Sequence, residues 1–317
     1  MLNDWHIILN PSSGSGKGKS SWSGVSKQLQ SLGLQFTFDE SQYPGNLSEL
    51  LDLALKAGKR KFISYGGDGT LNAMINAVMR QSQVNPSEIL LAHYPAGTGN
   101  DWGKTFSNPS NTDEWVEMIK RGKIYSHDVG VVDAYNGTEP ITHFFVNIAG
   151  MAYDGLVVKK VDLARASNWR FLKKLLYKIV ILKEIFNFKA QELELNMDDN
   201  VQKIRCLNIS IGINQYNGDG MRPCFNADPS DGLLDVTSVE EMGILEAIQE
   251  LPGMKDGSFA KNPKVSFTQC KEFTCDHSDY PDLIETDGEL IGHTPVKISV
   301  KPKALRFVVN QEPIIGW

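Results

Sequence analysis

Cysteine is scarce. Cys206, Cys224, Cys270 and Cys275 are the four thiols in 317 residues, too few to staple a chain of this length, which excludes a disulfide scaffold and predicts reduced, buried side chains. Cys270, Cys275 and His277 lack a fourth ligand at convincing spacing, so no structural zinc is expected. Surplus positive charge is missing too. Lys and Arg number 32 against 38 Asp and Glu, a net charge of −6, which argues against nucleic acid as a partner because phosphate backbones reward clustered cations. No apolar run of membrane-spanning length is free of lysine, and Met1 to Trp5 carries no cationic lead into a long apolar stretch. The expectation is a cytoplasmic protein whose membrane contacts are peripheral. Neither an internal repeat nor a linker of disordered composition is present, and no motif encodes an oligomeric state.

What is there is apolar material for one large or two ordinary domains, at 41% hydrophobic content. The chain is organised around Ser64-Tyr65-Gly66-Gly67-Asp68-Gly69-Thr70-Leu71-Asn72, where the apolar run ending in Phe62-Ile63 meets three glycines and an amphipathic stretch, Leu71 to Met79. This reads as strand, tight turn and helix start. Glycine allows backbone to lie against a ligand, and the first amides of a helix lack internal partners and suit phosphate. Thr70 is placed to cap that helix, and Asp68 puts a carboxylate where it could hold Mg²⁺ or take a proton.

Upstream, Trp5 to Leu9 reads as the first strand, followed by the glycine- and serine-rich Asn10 to Gly18 and a helix over Trp22 to Leu32. Gly18-Lys19-Ser20 imitates the end of a P-loop, but Ser13 stands where that motif needs glycine. Asn10 and the loop amides then serve a nucleotide, or the loop is an ordinary surface turn. Phe36 to Phe38 and Lys61 to Tyr65 are strands, with a helix over Leu47 to Ala57 between them. The strand Ile89 to His93 feeds a second glycine turn, Pro95-Ala96-Gly97-Thr98-Gly99-Asn100-Asp101, ahead of a helix over Trp115 to Arg121. Strands alternating with helices imply a doubly wound parallel sheet, whose ligands sit at the carboxyl ends of the strands.

From near residue 128 the period changes to two. Tyr125 to Ala134, Ile141 to Gly150, Gln191 to Met197, Ile204 to Ile213, Leu233 to Val239 and Val265 to Thr268 alternate as in an antiparallel, mostly β second domain. One helix, over 168–183, interrupts them. Its Arg170, Lys174 and Lys178 share a ridge, opposite Phe171, Leu172, Leu175, Leu176, Ile179 and Leu182, which suits an anionic membrane surface and equally a packed helix with a solvated face. Asp287-Gly288, between Leu283-Ile284 and Leu290-Ile291, predicts a type I′ hairpin.

Asn10-Pro11-Ser12-Ser13-Gly14, Gly66 to Asn72, Pro95 to Asp101 and Asp287-Gly288-Glu289, in that order, give the chain a resemblance to the diacylglycerol kinase catalytic-domain family, which includes bacterial lipid kinases and sphingosine kinases. It extends from Asn10 to the closing strand Ala304 to Val309. The resemblance implies an α/β nucleotide-binding domain like those of NAD kinases and phosphofructokinases over 1–127, completed by 302–317, and a mostly antiparallel β-sandwich lipid-binding domain over 128–301. It implies ATP and Mg²⁺ as cofactors and places nucleotide contacts on Asn10, Ser41, Gly66, Gly67, Asp68, Gly69, Thr70, Leu71, Asn72 and Thr98. A structural Mg²⁺ would be held by Asp231 through its side chain and by Asp228 and Leu233 through backbone carbonyls, although Asp228 to Asp235 can also be read as an ordinary turn. Glu289 would be the general base and Asp68 the residue that positions Mg²⁺-ATP, with the reverse division left open. Asp101 and Asp128 match further acidic positions near the interface.

The implied reaction is phosphoryl transfer from ATP to a lipid hydroxyl, a process that asks for alignment and charge neutralisation. A membrane lipid is the implied partner, with diacylglycerol, sphingoid bases, ceramides and phosphatidylglycerol as alternatives. An NAD kinase would share the Gly-Gly-Asp-Gly-Thr loop without accounting for Pro95 to Asp101 together with Asp287 to Glu289. A nucleotide-sensing lipid carrier would not need both Asp68 and Glu289.

Overall fold

A computed structural model describes residues 2–16, 18–166, 190–218, 220–277 and 282–316. Its first half is a parallel sheet in the order β2 (Phe36–Glu40), β1 (Trp5–Leu9), β3 (Lys61–Gly66), β4 (Leu90–Pro95). Helices α1 (Ser13–Gly16), α2 (Gly18–Ser31), α3 (Asn46–Lys56), α4 (Asp68–Arg80), α5 (Asp101–Thr105) and α6 (Thr112–Arg121) connect and flank it. Side chains alternate across the strands, so each strand feeds two cores. Ile8, Phe62 and Leu91 face the core under α3 and α4, while Trp5, Ile7, Leu9, Ile63, Tyr65, Ala92 and Tyr94 face the one under α2 and α6. Helix α6 shows how local sequence sets an element. Asn111 caps it by accepting from the amides of Asp113 and Glu114, Trp115, Val116, Met118 and Ile119 form its buried face, and Gly122 at φ 65° ends it.

The second half is antiparallel. It comprises β5 (Ile124–Asn136), β6 (Glu139–Phe145), β7 (Ile148–Ala152), helix α7 (Tyr153–Ala166), β8 (Gln191–Met197), β9 (Asn200–Gly212), β10 (Leu234–Glu240), β11 (Val265–Cys270), β12 (Glu272–His277), β13 (Leu283–Thr286) and β14 (Glu289–Val308). Pairings β14-β12, β12-β8, β8-β9, β9-β7, β7-β13 and β13-β14 close on themselves around an apolar core containing Leu193, Ile209, Ile211, Phe273 and Ile298. The 20-residue β14 then continues along β5 and ends beside β4, where Arg306 and Phe307 pair in parallel with Leu90 and Leu91. The closing strand expected over Ala304 to Val309 is thus the end of a much longer one. All four cysteines are buried and none forms a disulfide.

Three expectations need correction. The run Ile141 to Gly150 is two strands, broken between Phe145 and Ile148 because the intervening amides turn to a carboxylate described below. Four helices were not foreseen: α1, α5, α7 and Ile244–Asp256, the last containing Pro252. Thr70 is not the cap of α4. That position is Gly67, Thr70 lies within the first turn, and its amide donates to the Gly67 carbonyl at 2.9 Å. The basic ridge of Arg170, Lys174 and Lys178 lies outside the described residues.

Candidate active site

The carboxyl ends of β1, β3 and β4 bring the glycine motifs together. Asn10 follows β1, its amide donates to the Tyr65 carbonyl, and its Nδ2 donates to Thr70 Oγ1 at 2.9 Å. Ser41 sits beside it, its amide and hydroxyl both donating to the Leu9 carbonyl. The two glycine turns touch backbone to backbone. A Cβ on Gly97 would stand 2.3 Å from Gly67 Cα and 2.7 Å from Asn100 Oδ1, so only glycine permits this approach. Asn100, in the left-handed conformation at φ 51°, holds the second turn closed by accepting from the Gly97 amide and donating to its carbonyl. Thr98 is exposed at the tip of this turn, and Gly69 is exposed at the start of α4.

Asp68 is half-buried where the two turns meet, and its Oδ1 accepts from the Trp102 amide at 3.3 Å. Burial, reinforced by neighbouring Asp101, pushes its carboxyl up to about 6 despite the amides of α5 that favour the charged form. Asp101 is buried. Its Oδ1 pairs with Lys104 Nζ at 2.5 Å and accepts from the Gly220 amide at 3.0 Å, an amide contributed by the second half of the chain. Lys104 was missed by sequence reasoning, although its spacing of three from Asp101 on a helix was the available signal.

Glu289 comes to this place from the other half. Asp287 at φ 50° and Gly288 at φ 83° make the tight turn expected of an Asp-Gly hairpin, with Thr286 paired to Glu289 across it. Glu289 is exposed, and its Oε1 lies 3.4 Å from where a Gly69 Cβ would stand, so the carboxylate reaches over the first turn of α4. Leu71 and Asn72 lie differently. Leu71 is a core residue, and Asn72 is buried with its side chain bonded to Asp287, Phe144, Asn76 and His143. Neither side chain faces the open side of the glycine turn.

The Asp228 to Asp235 loop is a separate acidic feature. Asp228 Oδ1 accepts from the Ser230 amide and hydroxyl and from Tyr125 Oη, and Asp231 Oδ1 accepts from the Leu233 amide at 2.9 Å. Asp128, wholly buried, anchors the loop by accepting from the Gly232 amide at 2.7 Å and from the Lys303 amide at 2.6 Å. Burial pushes the Asp128 carboxyl up from its ordinary value. A chain of bonds links this anchor to the glycine turns. Trp102, whose amide bonds Asp68, donates its Nε1 to His127 Nε2 at 3.2 Å, and His127 Nδ1 meets the Asp128 carbonyl at 2.5 Å. Burial holds His127 near 4, hence neutral, and a proton on Nδ1 satisfies both bonds. Among the described residues no three His, Cys, Asp or Glu side chains converge as metal ligands.

The comparisons agree along the chain. The diacylglycerol kinase catalytic domain model matches residues 4–132, and that of the YegS C-terminal NAD kinase beta sandwich-like domain matches residues 149–309. A diacylglycerol kinase of Mycobacterium tuberculosis strain H37Rv is 26% identical over 304 residues, covering 95% of this chain and 93% of its own. A diacylglycerol kinase of Staphylococcus aureus strain MRSA252 is 24% identical over 315 residues, covering 97% and 94%. The crystal structure of a diacylglycerol kinase from Bacillus anthracis shares the fold at a TM-score of 0.69, with 18% identity over 97% of each chain. With its glycine turns meeting under a carboxylate from a sandwich-like second half, the chain belongs to the diacylglycerol kinase catalytic-domain family.

Proposed function

We propose diacylglycerol or a closely related lipid as the acceptor in the ATP-dependent lipid kinase reaction that family membership assigns to this chain, with Glu289 as general base. The observation that supports this is the Glu289 carboxylate standing over Gly69, because it places a proton acceptor from one half at the phosphate-facing turn of the other. In the reaction the lipid oxygen bonds the γ-phosphorus, the bond from that phosphorus to the bridging oxygen breaks, ADP leaves, and the hydroxyl proton passes to Glu289. The open side of Gly66 to Thr70, with Thr98 and Asn10 beside it, receives the phosphates. Asp68, by its donor chemistry, fits the Mg²⁺ that accompanies ATP and supplies charge neutralisation when bound. The carboxylates of Asp228 and Asp231 serve their own loop's amides, so no step is assigned to a cation there.

The test is transfer of labelled γ-phosphate from ATP into a total lipid extract, with NAD as the competing acceptor. Label in diacylglycerol-derived phosphatidic acid bears the reading out. Label in NAD instead, or lipid-independent silence across a broad lipid panel, sinks it in favour of an NAD kinase or a lipid carrier. No helix among the described residues is long and apolar enough to cross a membrane, so access to a bilayer lipid is read as peripheral.

A further inference from the structure

The hairpin that carries Glu289 is held by its neighbour. Asp287 is half-buried as a residue, but its carboxylate is fully engaged: Oδ1 accepts from the amides of Asn147 at 3.0 Å and Ile148 at 3.2 Å. Oδ2 accepts from the Val146 amide at 3.3 Å and from Asn72 Nδ2 at 2.8 Å. The Asp287 amide donates back to the Ile148 carbonyl at 3.0 Å. Three consecutive amides thus converge on one side chain at the break between β6 and β7, amides that strand pairing there leaves without partners. Asn72 belongs to α4, the helix whose first turn lies under Glu289, and it sits three residues past Gly69, which is one turn further along the same face.

We infer that Asp287 is a positioning residue and that its bond to Asn72 clasps the hairpin to α4, setting where Glu289 stands over the glycine turn. The turn between Asp287 and Glu289 is too tight to absorb displacement, and Glu285 Oε2 grips its other side by accepting from the Gly288 amide at 2.9 Å. Movement of Asp287 therefore becomes movement of Glu289. A misplacement on the order of 1 Å can cost about 10²-fold in rate. The clasp also gives Asn72 its role in this chain: its side chain is spent on the interface between the halves, away from nucleotide. This inference rests on Glu289 being the base, so its test carries a readout that does not depend on activity.

The experiment compares Asp287→Asn, Asn72→Ala, Glu289→Gln and the double variant Asp287→Asn with Glu289→Gln, by steady-state kinetics with ATP and an accepted lipid, and by backbone hydrogen exchange. In Asp287→Asn the substituted amide turns a donor toward Val146 N–H and Asn72 Nδ2. The amides of residues 146–148 then exchange faster, kcat falls about 10-fold or more, and KM for ATP stays within about 3-fold. Asn72→Ala, which leaves the three backbone bonds in place, lowers kcat in the same direction by less. In the double variant Asp287→Asn adds little to the loss already caused by Glu289→Gln, because both act through one carboxylate. Unchanged exchange at 146–148 in Asp287→Asn overturns the anchoring of Asp287 by those amides, and an unchanged kcat in Asn72→Ala overturns the clasp to α4. A lowered Tm with kcat intact well below it, or full additivity in the double variant, overturns the positioning role and leaves Asp287 merely structural. If Glu289→Gln alone turns over normally, the base assignment has failed, and hydrogen exchange still decides by itself whether Asp287 anchors the hairpin.

Discussion

The glycine turns after β3 and β4 and the loop from Asp228 to Asp235 are both rich in carboxylates, and they spend them in opposite ways. In the loop Asp228 and Asp231 fold back on amides of their own turn two residues ahead, at Ser230 and Leu233, with Tyr125 Oη and Gln269 Nε2 as further donors. At the glycine turns the carboxylates reach across elements: Asp68 to the start of α5, Asp101 to Gly220, Glu289 to Gly69. Local satisfaction makes a rigid turn. Long-range convergence leaves acidic oxygens gathered beside open backbone amides, where burial and, after it, neighbouring Asp101 raise the Asp68 carboxyl. Acidic composition therefore does not by itself distinguish a site from a turn, whereas the direction in which the oxygens are spent does.

Replacing Asp68 by Asn should give the largest effect, loss of Mg²⁺-ATP binding together with turnover, on the order of 10³-fold in kcat/KM, measured by ATP titration and kinetics. The same residue sets a pH limb. Free enzyme loses the Asp68 proton as pH rises through about 6, so kcat/KM of the wild type rises through that window. Because the native carboxyl lies above its unfolded value of about 3.9, the native state binds the extra proton between about 4 and 6. The stability this group contributes falls as pH rises there, and Asp68→Asn should flatten that slope. An acid limb that persists unchanged in the variant would remove Asp68 from it.

Glu289→Gln comes next, with kcat down about 10²-fold or more and ATP affinity close to wild type. Weakened ATP binding with normal turnover of bound substrate would instead pass the base to Asp68. Gly97→Ala should cost about 1–3 kcal/mol of unfolding free energy and weaken ATP binding, since its methyl meets Gly67 backbone. Gly24→Ala is the contrast: it is an exposed position of α2 with nothing within 4 Å of the added methyl, and it should be neutral or stabilising by up to about 1 kcal/mol in a denaturant titration. The smallest effect falls on Asp231→Asn. Asparagine keeps an oxygen for the Leu233 amide, so stability should change by less than about 1 kcal/mol and kcat by less than about 2-fold. A large loss of Mg²⁺-dependent thermal stabilisation in this variant would show that the loop is a cation site after all and erase the contrast.

Much of this arrangement was legible in residue order, for local reasons. An Asp-Gly pair between alternating apolar residues needs positive φ at both positions, and both have it. The glycine turns announced themselves because close backbone approach excludes every other residue. What stayed hidden depends on partners remote in the chain. Asn72 ends the glycine motif that the resemblance assigns to nucleotide, and its side chain also bonds Asp287, 215 positions away. The break in Ile141 to Gly150 is invisible to periodicity, since an apolar run does not reveal that Asp287 will collect the amides inside it. The helix Ile244–Asp256 contains Pro252 and buries little besides Ala247 and Gly253, so neither composition nor pattern marked it. Thr70 fits the residue type of a cap, and the structure uses its hydroxyl for Asn10 instead.

Strand β14 has a consequence for the birth of the molecule. Leu305 and Phe307, near its end, are core residues of the first half, and Arg306 and Phe307 supply the neighbour on the outer edge of β4. During synthesis, the sheet that opens the chain must wait with that edge uncovered until some two hundred further residues have emerged. Such late, distant closure makes for slow assembly and a long exposure of an unpaired strand. The nucleotide-facing half is thus completed last although it is made first, and a ribosome-bound chain shorter than β14 should remain a client of chaperones.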